Sequence, residues 1–474
     1  MGSLWMIGGR WVVRGIGLVS TIILARLLTP ADFGLVAMAM LVIGALQVLA
    51  ETGLHQAVIR MPSPQRAHYD TAWTIGVLIG AGITICLAVA APITATQFGE
   101  PRLLPIMLML ALRPLIQGFE NIGLVDFQRQ LDFRRDLQVM MLGKLGSFLV
   151  TIVLAFVLRD WRALIGGTVA GTLLAVGLSY FFSPFRPRFG LRHAGEIWSF
   201  SAWALMTNMA LYASERADHA VVAATQDPGS VGAYTVGAEL AALPTEELVV
   251  PPVRALFAVY SKLTHDPDAL REHYLSALGF IAIVASATGA GMALVAEDAV
   301  LLLLGQQWLW AIPVVPWFAL SAGLMGVARS VNSVLLAAGH ARANAVRAMV
   351  FAAVLLPCAI VGVAWRGAEG AAIARFAVTA LFAPVMLFLA MHLLRIPLAA
   401  FVACLWRPIA AALVMAAAVL ALHPWLPTLP VLRLGIEAGT GALAFAGSLA
   451  LLWWASGRPQ GAEATLWREI RSRF

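Results

Sequence analysis

Residues Thr71–Gly99 read TAWTIGVLIGAGITICLAVAAPITATQFG, 29 positions without a charge. About 20 apolar residues in a helix cross the hydrocarbon core of a bilayer. Backbone in lipid has no water to bond to, and a helix closes its hydrogen bonds within one segment. The stretch is therefore expected to be a membrane-spanning helix. The same reading extends along the chain. Ala163–Phe185, Tyr274–Ala296 and Ala348–Trp365 are also uncharged. Overall, 61% of residues are hydrophobic and 12% are charged, against about 25% charged in an ordinary soluble domain.

The 474 residues hold fourteen expected spans. The first seven are Leu4–Leu28, Phe33–Leu54, Thr71–Thr96, Leu103–Leu124, Leu137–Leu158, Ala163–Phe182 and Ile197–Ala220. The second seven are Val231–Val253, Tyr274–Ala296, Ile312–Ala337, Ala348–Trp365, Ala371–Leu394, Phe401–Leu422 and Leu434–Trp454. The fold class is thus an all-α polytopic membrane protein with about 14 transmembrane helices. The connections are too short to hold a soluble domain. No basic region precedes the first apolar run, so the first helix reads as an uncleaved span.

The net charge of +7 reports topology. Over alternate loops and their adjoining helix ends, nineteen basic residues fall on the side of the N-terminus. Seven fall on the other side: Arg26, Arg102, Arg159, Arg162, Arg216, Arg366 and Arg433. Basic residues favour the cytoplasmic side. Both termini are then expected in the cytoplasm, which needs an even number of spans. No nucleic-acid partner is implied. Cys86, Cys358 and Cys404 are isolated in apolar runs and have no metal-ligand spacing, so they read as packing residues.

The chain carries a repeat signal. Thr29-Pro30-Ala31-Asp32-Phe33-Gly34 joins spans one and two, and Asp227-Pro228-Gly229-Ser230-Val231-Gly232 joins spans seven and eight. Both read Pro-x-x-apolar-Gly. Pro suits the first helical turn, and Gly lets a helix pack closely. Six spans separate the copies, so both point the same way, as parallel repeats do. The boundaries expected are 1–195 for a first six-helix bundle, 196–398 for a second, and 399–474 for two extra helices and a tail. The tail from Ala462 to Phe474 has two readings, a segment lying on the anionic inner leaflet or a solubilising end.

At this point the sequence resembles a family. Ala25-Arg26-Leu27-Leu28-Thr29-Pro30-Ala31-Asp32-Phe33-Gly34 resembles the first outer turn of bacterial polysaccharide flippases. These are the Wzx-like members of the multidrug/oligosaccharidyl-lipid/polysaccharide exporter superfamily. Gln130-Leu131-Asp132-Phe133-Arg134-Arg135 resembles the inner-loop signature of their colanic-acid and exopolysaccharide branch. Arg216-Ala217-Asp218, then Gly232-Ala233-Tyr234 and Pro244, resembles the span seven–eight region. Gly305-Gln306-Gln307-Trp308 resembles the Gly-x-x-Trp before span ten. One departure is His219-Ala220-Val221-Val222, where family members usually carry an apolar-Gly pair. The resemblance implies two six-helix bundles facing a central cavity, plus two extra helices. It also implies alternating access that moves a polyprenyl-pyrophosphate-linked oligosaccharide from the inner to the outer leaflet of the bacterial inner membrane. A polysaccharide polymerase and glycosyltransferases would be its partners.

Charges inside spans are costly unless paired or facing a wet cavity, so they are the candidates for function. Arg10 and Arg14 share one face of the first helix and can together hold a pyrophosphate; the other reading is that they snorkel to the interface. Arg113, Arg216, Arg329 and Arg375 are further cavity candidates. Their alternatives are a pair with Glu120 for Arg113, helix–helix hydrogen bonding near Ser330, Asn332 and Ser333 for Arg329, and an interface position near Glu369 for Arg375. Asp218 and Glu239 are candidates for coupling to Na+ or H+, the other reading of Glu239 being a buried partner of an arginine. No other cofactor and no metal are expected. Trp198, Trp203, Trp308, Trp310, Trp317, Trp453 and Trp454 read mostly as an interfacial belt. No H-E-x-x-H, G-x-S-x-G or P-loop is present, so the chain does not read as an enzyme. Two other functions stay open, a cation-coupled small-molecule exporter and a membrane-embedded glycan polymerase or ligase.

Overall fold

The computed structural model describes residues 2–467 except 51–53, 55–57, 60, 62–63, 131, 196–200, 264, 338–340, 428, 460 and 466. The chain forms helices and, among the described residues, no strands. We number them α1 (Gly2–Leu27), α2 (Pro30–Ala50), α3 (Arg66–Gln97), α4 (Leu103–Gly118), α5 (Phe133–Leu158), α6 (Trp161–Phe182), α7 (Ser201–Thr225) and α8 (Pro228–Leu263). There follow α9 (Pro267–Leu294), α10 (Val315–Ala337), α11 (Ala341–Leu393), α12 (Leu398–Leu422) and α13 (Pro430–Ala455).

Among the described residues, nine helices are long and apolar enough to cross a membrane. The bent pair Leu103–Gly118 and Ile122–Arg129, angled at 59°, makes a tenth. α1, α7 and α8 are not in that set, and these helices carry much of the intramembrane charge. α11 is a hairpin of the two spans expected there. Its turn lies at Arg366 and Gly367, where Gly367 takes φ 59. Gly362 and Gly370 face each other across the hairpin, and a Cβ on either would collide with the other's carbonyl oxygen.

Two compact units divide the chain at Gly232 and Ala233. The first holds α1–α7 and the opening turn of α8. The sequence placed a boundary at 195, before α7; in the structure α7 packs on α2 within the first unit. Its Tyr212 hydroxyl donates to the Leu41 carbonyl oxygen at 2.7 Å, with Gly44 leaving room for the ring. α5 pairs with α6 through Gly167 and Gly171, which lie against Thr151 and Ser147.

The two Pro-x-x-apolar-Gly turns meet in this unit. A Cβ on Gly34 would strike the Pro228 carbonyl oxygen, and a Cβ on Gly232 would strike that of Pro30. The contact is reciprocal, as a pair of repeats demands. The helix starts match too. Thr29 and Asp32 cap α2, the Thr29 hydroxyl donating to Asp32 at 2.6 Å and the Asp32 N–H to Thr29 at 3.3 Å. Asp227 and Ser230 cap α8 with acid and hydroxyl exchanged, the Ser230 hydroxyl donating to Asp227 at 2.7 Å. The other Asp32 oxygen accepts from the Trp161 N–H at 3.1 Å and so ties the start of α6 to the turn.

In the second unit the appended pair α12–α13 packs on α9, with Ile283, Ala411, Met415 and Phe445 in the shared core. Ala462 of the tail is buried in the same cluster. Arg407, 6% exposed, meets Glu463, 9% exposed, at 2.8 Å. The start of the tail is therefore docked on the second unit. A buried guanidinium needs a carboxylate, and the tail supplies it. Residues 468–474 lie outside the described part.

Removing one partner of a buried pair costs about 3–5 kcal/mol. Glu463→Ala should therefore lower the melting temperature of the purified protein in detergent sharply, while Arg407→Met with Glu463→Leu recovers most of it. At the second capped turn, burial works to raise the Asp227 carboxyl, but the bonds from Ser230 and the Gly229 backbone outweigh it and hold it below its usual value. The cap is then fully present above the ordinary carboxylate range and is lost as pH falls through the depressed value. Asp227→Ala should cost about 1 kcal/mol at pH 7, and the gap to the parent protein should close in melts run at strongly acid pH.

Candidate functional site

In the first unit the candidate charges lie on α1, α4 and α7. Arg14 is exposed on α1; the side chain of Arg10 lies outside the described part. Arg113 sits half-buried on α4, one residue before Pro114. The pairing with Glu120 is not formed. Among the described residues no carboxylate lies within ion-pair distance of Arg113. The cause is local, because α4 ends at Gly118 and Glu120 lies beyond it, ahead of the short turn that begins at Ile122. Arg216 is also half-buried on α7 and has no such carboxylate among the described residues.

Asp218 is fully buried beside Arg216 in sequence but is turned into the packed interior. Its carboxylate meets His219 Nδ1 at 3.2 Å. Val222 of the departing stretch His219–Val222 is fully buried and Val221 nearly so. The departure is thus a packed core built around an Asp–His contact.

In the second unit, α8 presents Glu239 at an exposed position. Two helical turns further, Glu246 reaches Arg329 of α10 at 3.5 Å. Arg329 therefore has an ion-pair partner that its Ser/Asn neighbours did not announce. Ser333 donates to the Val253 carbonyl oxygen at 3.2 Å, so the hydrogen-bonding reading of that cluster is also present. Arg375 lies over the ring of Phe318, 5.7 Å from its centroid. Glu369 pairs with Arg366 at 3.1 Å. Phe318 in turn packs edge-on against Tyr234 of α8.

The tryptophans divide. Trp310 and Trp454 are exposed, as a belt requires, but Trp308 is wholly buried. Gly305 adopts φ 103, a conformation that favours glycine, and Trp308 in the short helix that follows is packed in the core. The Gly-x-x-Trp pattern is a packing device. A cluster that the sequence reading missed joins the turn after α9 to α13. There Arg433 meets Asp298 at 2.9 Å, Glu437 at 3.6 Å and Glu297 at 3.7 Å. Only the Arg433–Glu437 spacing of four was visible in advance. Among the described residues no group of three or more His, Cys, Asp or Glu is placed to hold a metal ion.

A family model described as polysaccharide biosynthesis protein matches residues 23–313, more than half of the 474 residues. The chain belongs to this family. The chain is 24% identical over 379 residues to the lipopolysaccharide biosynthesis protein WzxC of Escherichia coli K12, covering 78% of this chain and 76% of that one. It is 23% identical to the succinoglycan biosynthesis transport protein ExoT of Rhizobium meliloti, covering 68% of this chain and 65% of that one. Its fold matches that of the lipid II flippase MurJ in an inward closed conformation, with a TM-score of 0.78 at 13% identity, over 96% of this chain and all of the other. At that identity the likeness shows a shared fold.

In this polysaccharide biosynthesis protein the intramembrane arginines are of two kinds, and stability separates them. Arg329→Met breaks a half-exposed pair and should cost about 1 kcal/mol. Arg113→Gln breaks no described pair and should stay within about 0.5 kcal/mol of the parent. Parallel thermal melts of the two variants check this.

Proposed function

We propose that this chain is a flippase that carries a polyprenyl-pyrophosphate-linked oligosaccharide from the inner to the outer leaflet of the bacterial inner membrane by alternating access. The observation that carries this reading is the family match over residues 23–313. A helical transporter fold of the kind found in a lipid II flippase supports it. So does chemistry. A pyrophosphate headgroup needs fixed positive charge, and Arg guanidinium matches phosphate oxygens in a fork. Arg10 and Arg14 on α1, with Arg113 and Arg216, supply such charge. The carboxylates Asp218 and Glu239 are the groups through which a Na+ or H+ gradient would couple. Both termini lie in the cytoplasm in this proposal, which places the basic end of the helices inside. Glycosyltransferases would deliver the substrate and a polymerase would take the product.

Deletion of the gene in its host tests the reading. Complete polyprenyl-linked oligosaccharide should accumulate on the inner leaflet, and surface polysaccharide should be lost. The parent gene should restore export, and a variant with Arg10→Ala and Arg14→Ala should not, at equal membrane abundance. Unchanged glycans with an altered accumulation of small drug molecules would instead favour the cation-coupled small-molecule exporter.

A further inference from the structure

After α6 the chain does not simply loop to α7. Residues 183–193 run extended along the first turns of α3 and are pinned there by their backbone. Asn121 Nδ2 donates to the Phe185 carbonyl oxygen at 2.7 Å. The Arg188 N–H donates to Asp70 at 2.9 Å, and the Gly190 N–H to the Thr74 hydroxyl at 3.0 Å. Arg66 reaches the Arg186 carbonyl oxygen at 3.0 Å. His193 stacks on His68, with centroids 4.0 Å apart. Segments of this kind are usually mobile, because their backbone groups turn to water. Here helix side chains satisfy them, so the segment is held as a strap.

Two of its side chains also touch the protein, Arg186 donating to the Ser183 and Phe185 carbonyl oxygens at 2.7 and 2.9 Å and Phe189 packing on the Trp73 ring at 4.9 Å, yet both keep a face turned outward. Arg186, Arg188, Phe189, Leu191 and Arg192 are all exposed. Phe189 is 71% exposed and Leu191 52%. Among the described residues none of the three arginines has a carboxylate within ion-pair distance. Prolines Pro184 and Pro187 keep the segment out of helix. The strap also lies at the end of the first unit that holds the basic α4–α5 connection, since Asn121 and Asp126 of that connection bond Phe185 and Tyr69.

We propose that residues 183–193 form a docking strap for the anionic phospholipid headgroups of the leaflet at the basic end of the protein. The arginines meet lipid phosphates, and Phe189 and Leu191 enter the boundary with the acyl chains. Interfacial segments combine these two contacts. A soluble phosphate would satisfy the arginines but leave both apolar side chains in water, which is why the membrane is the partner assigned. The proposal does not depend on which substrate is transported.

The test uses the full-length protein in detergent, with native mass spectrometry during titration of phosphatidylglycerol or phosphatidylcholine. The first phosphatidylglycerol should bind more tightly than phosphatidylcholine. One arginine at an anionic surface is worth roughly fivefold in affinity, so three are worth roughly a hundredfold. R186Q/R188Q/R192Q should lose the preference by about that factor, while the corresponding triple lysine variant keeps most of it. If the triple glutamine variant does not fold, Arg192→Gln alone should lose roughly fivefold. Three results would overturn the proposal: equal affinity of the parent protein for both lipids, unchanged phosphatidylglycerol binding in the folded variants, or displacement of the lipid by equimolar inorganic pyrophosphate.

Discussion

The close approach of Gly34 and Gly232 is the constraint on which the arrangement of the first unit depends. Each helix start offers its first turn to the carbonyl of the other, and only a residue without Cβ fits. The helix starts must therefore be rigid, and both are capped by an acid–hydroxyl pair. Asp32 carries the constraint outward by also holding the start of α6. Packing without Cβ atoms is the common device of helices in lipid, where no hydrophobic force separates helix from tail and van der Waals contact decides. The same device closes the α11 hairpin at Gly362 and Gly370.

Charge is the second constraint. Inside a membrane protein a guanidinium must find a carboxylate, a ring, a carbonyl or a ligand. Arg407 finds Glu463 and thereby recruits the tail into the second unit. Arg433 finds Asp298 and so fastens α13 to the turn after α9. Arg375 takes an aromatic face. The extra helices are thus bound by ion pairs at their ends as well as by an apolar core, which makes them a built part of that unit.

Much of this was legible in the sequence because lipid imposes simple rules. Run length marked the helices, and Pro followed by Gly marked the paired turns. The legible part ended where partners are far apart in the chain. Nothing near Arg329 pointed to Glu246, 83 residues away, or near Arg407 to Glu463. Trp308 misled for a different reason. Composition gave it to the belt, but it lies in the short helix after Gly305 with its side chain wholly buried. The ending of α4 at Gly118 likewise separated Arg113 from a carboxylate seven residues away, a distance that a continuous helix would have made two turns on one face.

The repeat and the charges together argue for a division of labour. A duplicated backbone needs the same turns in both copies, and Pro30–Gly34 and Pro228–Gly232 keep them. Side chains within spans are under no such demand. Arg329 and Arg407 of the second unit have carboxylate partners, whereas Arg113 and Arg216 of the first have none among the described residues. A paired guanidinium has spent its charge on structure, and an unpaired one retains it for an anion that is not part of the chain. Under the proposed function the half-buried Arg113 and Arg216 would serve an anionic headgroup, whereas the Arg329 and Arg407 pairs fasten helices and tail in the second unit.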